Sequence, residues 1–503
     1  MKNLRKISLK LKTRFEKNEE EQKESSIVQE SDDKEKQKKI PRNPEYVAAV
    51  NVCLGALGTG TIMGWTNNIM VKLQSGYLHG MKLSEDQVSW SASFMAIGAM
   101  LVCIPTGILL DTIGRKPTVL LASIPFYIGW ACIIFAKFPV MLYAGRFFCG
   151  FAGASFCVSA PLYTSEIAER DIRGRLGAFF QLFLTLGMLY AVFFGWAFPI
   201  ILFNYACAIV PLVFAFLFLL QPESPAYNMR RQRPDKAASN LARLRHKDHD
   251  CTGELERLQA RMAPHLVEEK FITAFKNRKA VKKATWVCLM LTFFQQWSGV
   301  SGVLFYSNRL FTLAGAGLYI PEHFTVILQS IFQVLGATFV MWTVDRFGRK
   351  ALLIFSSSMM ALSSASLGVF FSLMRQDHDD EYVSRIAFFP IISCITFVVG
   401  YSMGMGPIPW LLPTELFPPH IKATGCSIIG VFSWFLLWMI SRFYIDVQNL
   451  IGYDTPFYIF SMISLSGILF VLFVVPETNQ KSFDDILEEL EVSAYIRSKP
   501  SMK

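Results

Sequence analysis

Residues 293 to 307 read FFQQWSGVSGVLFYS and place two adjacent amides, Gln295 and Gln296, inside a long uncharged stretch. An amide side chain brings two N–H donors and an oxygen with two lone pairs, so it can match a neutral, hydroxyl-rich ligand without any ionisation. The same side chain can instead bridge two helices, a contact worth only about 1 kcal/mol in a membrane. At helical spacing Gln295, Ser298 or Gly299, Gly302 and Tyr306 share one face that is polar or small, and the two glycines weaken that helix enough for it to bend. Arg146 is the only formal charge in its own apolar stretch, so it must face protein and find acceptors there. The ten cysteines show no metal-like spacing, and all but Cys251 fall in apolar stretches where packing is their expected role. No nucleophile, metal or phosphate motif is present, so the expectation is a protein that is not an enzyme and uses no metal and no cofactor.

The elements that must position these residues follow from composition. Hydrophobic residues make up 52% of the 503 and charged ones 17%, too little polar surface for an ordinary soluble domain of this size. Uncharged or nearly uncharged runs long enough to cross a bilayer lie at 46 to 71, 87 to 110, 117 to 136, 139 to 163, 284 to 308, 324 to 344, 351 to 374, 386 to 414, 423 to 441 and 455 to 476. The run from 176 to 222 is long enough for two spans, dividing between Trp196 and Asn204 where Pro199 marks a turn. Twelve spanning helices result, because backbone amides in lipid must be satisfied within their own segment. With an even number of spans both termini share a face, and the segments on that face hold 41 of the 49 Lys and Arg. That face is the cytoplasmic one by the positive-inside rule, so the basic balance reports topology and gives no reason to expect a nucleic-acid partner. The lipid bilayer is the expected surrounding, and the oligomeric state is left open.

The chain also repeats itself. DTIGRK at 111 to 116 returns as DRFGRK at 345 to 350, Glu166 returns as Glu415, and PESP at 222 to 225 returns as PET at 476 to 478. Matched motifs at a near-constant offset imply two six-helix halves with a ligand site between them. The expected organisation is a disordered cytosolic tail over 1–45, a half over 46–222, a cytoplasmic linker over 223–283, a half over 284–476 and a cytosolic tail over 477–503. In the repeated turns glycine permits positive φ, while Asp111, Arg115, Asp345 and Arg349 can pair with helix ends and neighbouring charges. Together with Glu166, Arg173, Arg175, Glu223, Glu415 and Glu477 they form an expected ion-pair lattice that locks the cytoplasmic side. The alternative is that these charges only anchor helix ends; topology alone, however, needs only Lys and Arg and leaves the recurrent acids unexplained.

DTIGRK, YAGRFFCG, PLYTSEIAERDIRGRLG, PESP, QQWSGVSGVLFYS, DRFGRK, GPIPWLLPTELFP and PET together resemble the signature set of the sugar porter branch of the major facilitator superfamily. Within that branch the chain is most similar to the insect facilitated trehalose transporters. The resemblance covers residues 46 to 490 and implies an all-α integral membrane protein of twelve transmembrane helices in the cell membrane, with a small sugar as substrate. It implies sugar hydrogen bonding by Gln295 and Gln296, by Gln181 in span five and by Gln333 in span eight. It further implies that Trp410 packs on the sugar, that Pro407 and Pro409 flank a flexible break, and that Tyr306 belongs to the extracellular gate. An indole plate suits the apolar C–H faces of a sugar ring.

Three departures refine the expectation. In proton-coupled relatives an arginine matching Arg146 works with an aspartate of span one; here that position is Thr66, and the span holds no carboxylate, which favours facilitated diffusion over proton symport. Ser301 stands where the family usually has an asparagine, and span eleven carries Ser433 before Trp434, with Leu437 beyond. The thinner polar set weakens the case for glucose and leaves room for a disaccharide, so trehalose or a hexose is expected. PETNQ in place of the usual PETKG is expected to alter gating contacts. A sugar sensor that does not transport is the alternative of a different class, but the tails are short for signalling.

Overall fold

The computed structural model describes residues 43–74, 76, 78–245, 251–262, 271–313, 321–375, 386, 388–418, 421–479 and 481. Most of the two expected tails therefore lies outside the described residues. Among those described, the chain is helical, joined by short turns and one isolated bridge between Leu78 and Met81. Helices α1 (Asn43–Gln74), α2 (Glu85–Thr112), α3 (Arg115–Leu121) with α4 (Ser123–Ile134), α5 (Pro139–Ile167), α6 (Arg173–Ala197) and α7 (Ile200–Leu219) make the first half. Four short helices come next, α8 (Pro225–Arg230), α9 (Pro234–Leu244), α10 (Thr252–Met262) and α11 (Phe271–Asn277). The second half comprises α12 (Lys279–Gln295), α13 (Ser301–Leu313), α14 (Glu322–Phe347), α15 (Arg349–Arg375), α16 (Phe389–Met403), α17 (Ile408–Leu416), α18 (Lys422–Ile451) and α19 (Thr455–Phe473).

Twelve segments among the described residues are long and apolar enough to cross a membrane, matching the sequence expectation in number. The run from 176 to 222 divides at Phe198 and Pro199, within the expected interval, because proline cannot donate into the preceding helix. Large apolar side chains such as Phe216 (68% exposed) and Leu362 (73% exposed) point outward, as lipid-facing residues do when the surrounding solvent is hydrocarbon. Helix pairs within the first half close on small residues. A Cβ on Gly60 would collide with the Leu184 carbonyl and one on Gly187 with the Leu57 carbonyl, so α1 and α6 meet backbone to backbone; Gly98 and Gly150 do the same for α2 and α5.

Between the halves, α2 packs on α18 and α6 packs on α14. Under the repeat, α2 corresponds to α14 and α6 to α18, so one inter-half pairing is the image of the other. The short helices tie to the first half through Arg245, which donates to Glu254 and to the Ile167 carbonyl and pairs with Glu45 at 3.1 Å. Burial lowers the pKa of this guanidinium, but Glu254, Glu45 and Glu169 outweigh it and raise the pKa above its ordinary value. Glu45 is 1% exposed in the first turn of α1, so the first helix starts at Asn43, slightly before the end expected for the tail.

Candidate functional site

Two broken helices shape the space between the halves. The first break comes directly after α12. Residues Gln296–Val300 form a wide π-type turn in which Gly299 adopts φ 93°, a conformation that favours glycine, and a Cβ there would strike the Phe460 ring. The second break separates α16 from α17. It runs from Gly404 to Pro407, with the Met405 amide capped by Ser356 Oγ at 2.9 Å and the Gly406 amide donating to the Tyr401 carbonyl at 2.7 Å. Pro407 caps α17 and Pro409 lies in its first turn, where a missing N–H costs nothing. Discontinuous helices at mid-membrane depth are tolerated only where they line a cavity or are buried in protein.

The cavity is lined by a different face of this segment from the one expected. In place of Gln295, Ser298 or Gly299, Gly302 and Tyr306, it is the neighbouring set Gln296, Val300, Ser301 and Leu304, itself at helical spacing across the π-type turn, that lines it. Gln296 donates to Ser433 Oγ at 2.9 Å and accepts from Ser301 Oγ at 3.4 Å. Gln295 points to the other break, its Nε2 donating to the carbonyls of Met405 at 2.7 Å and Gly406 at 3.1 Å. The adjacent pair therefore splits, one amide facing the cavity and one clasping the two breaks together. Gly302 lies against the Tyr444 ring, and Tyr306 belongs to α13, its side chain outside the described residues.

The cavity measures about 50 Å³ and is walled by both halves, room for about three or four waters. Gln181 reaches it from α6; it is 1% exposed, and neither its Oε1 nor its Nε2 has a partner. Trp410 of α17 lines the same space and lies 6.0 Å from the Phe180 ring. Trp434 adds a buried indole N–H without a partner. Every lining side chain is neutral. Motif spacing does not single out Tyr401, Met63 or Met188, which also line it; only the helix crossing brings them there. Gln333 does not line this cavity. It lines a second one of about 20 Å³, together with Gln329 and Ser330 of the same helix.

Arg146 is 0% exposed and hydrogen-bonded within the first half, donating to the Ile62 carbonyl at 2.9 Å, Thr66 Oγ1 at 2.6 Å, Met95 Sδ at 3.2 Å and the Ser91 carbonyl at 3.4 Å. Its guanidinium stacks 4.9 Å from the Trp65 ring. Among the described residues no carboxylate pairs with it.

The charged motifs form two matched clusters on one face. In the first half, Arg115 holds Glu166 at 2.6 Å, Asp111 is shared between Arg115 and Arg230, and Glu166 also accepts from Ser224. Glu223 accepts from the amides of Arg115 and Lys116, at the turn where Gly114 has φ 108°. Burial raises the pKa of Glu223, opposed by the Ser224 and Lys116 amides and by the Arg115 charge. In the second half Arg349 holds Glu415 at 2.8 Å and Asp345 at 3.2 Å, Thr478 donates to Glu415, and Glu477 accepts from the amides of Arg349 and Lys350. Even the lysines match, Lys116 donating to the Leu219 carbonyl and Lys350 to the Leu472 carbonyl. The halves are joined where Asp345 Oδ2 accepts from the Arg175 amide at 2.8 Å, beside Arg173 and Gly174, and the Arg175 guanidinium lies 5.4 Å from the Trp342 ring. Asn479 of PETNQ breaks the symmetry: it accepts from Arg349 and donates to the Asp345 carbonyl.

A family model described as sugar (and other) transporter matches residues 16–490. The chain is 31% identical over 459 residues to the facilitated trehalose transporter Tret1 of Polypedilum vanderplanki, covering 88% of each chain. It is 30% identical to the Tret1 of Aedes aegypti, covering 88% of this chain but 54% of that longer one. In three dimensions it is similar to the proton:xylose symporter XylE bound to 6-bromo-6-deoxy-D-glucose, with a TM-score of 0.75 and 21% identity over 90% of this chain and 99% of the other.

Proposed function

The chain belongs to the sugar (and other) transporter family, and from that premise we propose that it carries trehalose or a hexose across the cell membrane by facilitated diffusion. The observation that carries this reading is the neutral cavity between the halves, in which Gln181, Gln296 and Trp434 offer unionised polar atoms beside the Trp410 plate. A sugar ring presents hydroxyls that both donate and accept around apolar C–H faces, and this set meets each requirement. The cavity is too small for a sugar as it stands, so loading requires the halves to part, as alternating access provides. The Asp345–Arg175 link joins the halves on the charged face meanwhile, and the Arg115–Glu166 and Arg349–Glu415 pairs brace that face from within each half. Facilitation is favoured over proton symport because Arg146 is satisfied by carbonyls, a hydroxyl and a thioether, with Thr66 where a titrating acid would be needed.

Oocytes expressing the chain are expected to take up labelled trehalose or glucose down its gradient, at a rate flat between about pH 5 and pH 8 and unaffected by a protonophore. Accumulation driven by an imposed proton gradient would refute facilitation. Trp410→Ala is expected to weaken uptake at unchanged surface expression; unchanged uptake would move the site elsewhere.

A further inference from the structure

The second cavity is lined by Gln329, Ser330 and Gln333 of α14 and shares three walls with the first, namely Met63, Met188 and Leu304. Gln329 and Gln333 stand one turn apart on one helical face and are 3% and 1% exposed. Gln329 Oε1 and Gln333 Nε2 have no hydrogen-bond partner, so one acceptor and one donor are held in reserve at the same place. The Ser330 hydroxyl is already donated to the Val326 carbonyl. An amide of each polarity aimed into an otherwise apolar space matches the hydroxyl, which both donates and accepts.

The two cavities are stacked along the path between the membrane faces. Trp410 lies six residues before Leu416, about 9 Å from the charged end of its helix. Gln333 and Gln329 lie fourteen and eighteen residues before Phe347, about 21 and 27 Å from the charged end of theirs. The partition holds no charge and no disulfide, and two of its three side chains are methionines, which change rotamer readily.

Resting on the transport reading above, we propose that this second cavity is a subsite for the distal ring of a two-ring sugar. The proximal ring then sits on Gln296, Gln181 and Trp410, while the distal ring takes Gln329 and Gln333 once Met63, Met188 and Leu304 move aside. A hexose fills the first cavity alone and leaves the second to one water, for which 20 Å³ is enough room. The bridging water is the competing account, and the two accounts differ in what Gln329 does for sugars of different length.

The test uses the full chain in oocytes, with zero-trans uptake of labelled glucose and labelled trehalose normalised to surface copies. Gln329→Leu is expected to raise the half-saturation concentration for trehalose about tenfold and to leave that for glucose within about twofold. Equal change for both sugars, or none for either, overturns the subsite. A measurement on the unaltered protein guards against a variant that does not reach the surface: competition of glucose uptake by methyl α-glucoside and by trehalose. Trehalose should compete at a several-fold lower concentration; a distal ring that adds nothing over a methyl group overturns the proposal. Uptake of neither sugar would instead defeat the transport reading on which the proposal rests.

Discussion

Substituting Gln295 by leucine separates a clasp from a ligand. In the structure its Nε2 holds two carbonyls of the second break, Met405 and Gly406, at 2.7 and 3.1 Å. Each neutral hydrogen bond contributes about 1 kcal/mol net, so the leucine variant loses about 2 kcal/mol in the state with the charged face shut. At 1.4 kcal/mol per factor of ten, that loss biases the two-state equilibrium by roughly 30-fold. A pure bias changes the populations that sugar meets on the two sides, so entry and exit half-saturation concentrations move in opposite directions and their ratio shifts by up to about 30-fold. Gln296→Leu removes a side chain facing the cavity and should raise both constants together, about tenfold, with the ratio nearly unchanged. Zero-trans entry and zero-trans exit of labelled sugar, measured on the same cells, give both ratios. If Gln295→Leu raises entry and exit constants equally, Gln295 binds sugar directly and the clasp is wrong.

The same geometry gives three further expected outcomes. Glu415→Gln leaves the Arg349 guanidinium with Asp345, Asn479 and the Val344 carbonyl and should cost the second-half cluster about 3 kcal/mol, near the low end for a broken buried pair, loosening the frame that presents Asp345 to the Arg175 amide; faster labelling of buried Cys426 by an impermeant thiol reagent, mapped by mass spectrometry, would register it, and unchanged labelling would count against the lock. Gly299→Ala meets both a φ of 93° and the Phe460 ring, for a cost of roughly 2 to 4 kcal/mol; thermal unfolding of detergent-solubilised protein should fall by several degrees, and an unchanged Tm would mean the turn is not strained by a side chain. Thr66→Asp puts a carboxylate on Arg146 Nη2, which Thr66 now meets at 2.6 Å; uptake should become pH-dependent, and a flat profile would show that an acid at this position does not suffice for coupling.

The large-scale architecture is legible because lipid enforces it. Spans, their number and the division at Pro199 follow from apolar length and from proline chemistry, and the repeat announces itself in DTIGRK and DRFGRK. The charged clusters are legible as a set, but their pairing is not. Of the expected lattice, the structure gives Glu166 to Arg115 and to Ser224, beside the tight turn at Gly114. A period of 3.6 already turns Gln295 and Gln296 about 100° apart, but which of the two faces the cavity and which reaches the Met405 and Gly406 carbonyls depends on how the second break packs against this helix. Gln333 was reached by resemblance, but its place in a separate cavity depends on where Met63 and Met188 fall, and those come from the other half. Asn479 looks like an ordinary loop substitution until its two contacts, to Arg349 and to the Asp345 carbonyl, are seen.

Arg146 carries a consequence for bioenergetics. All four of its hydrogen-bond acceptors, the Ile62 and Ser91 carbonyls, Thr66 and Met95, belong to the first half, so the cation travels with that half as cargo fixed in its frame. Among the described residues no carboxylate pairs with it, and a sugar is neutral. A membrane voltage does about 2.3 kcal/mol of work per elementary charge per 100 mV; with no charge translocated in a turnover, that work is nil. Sugar flux through this protein therefore carries no net charge, and the resting potential of the cell cannot drive it uphill.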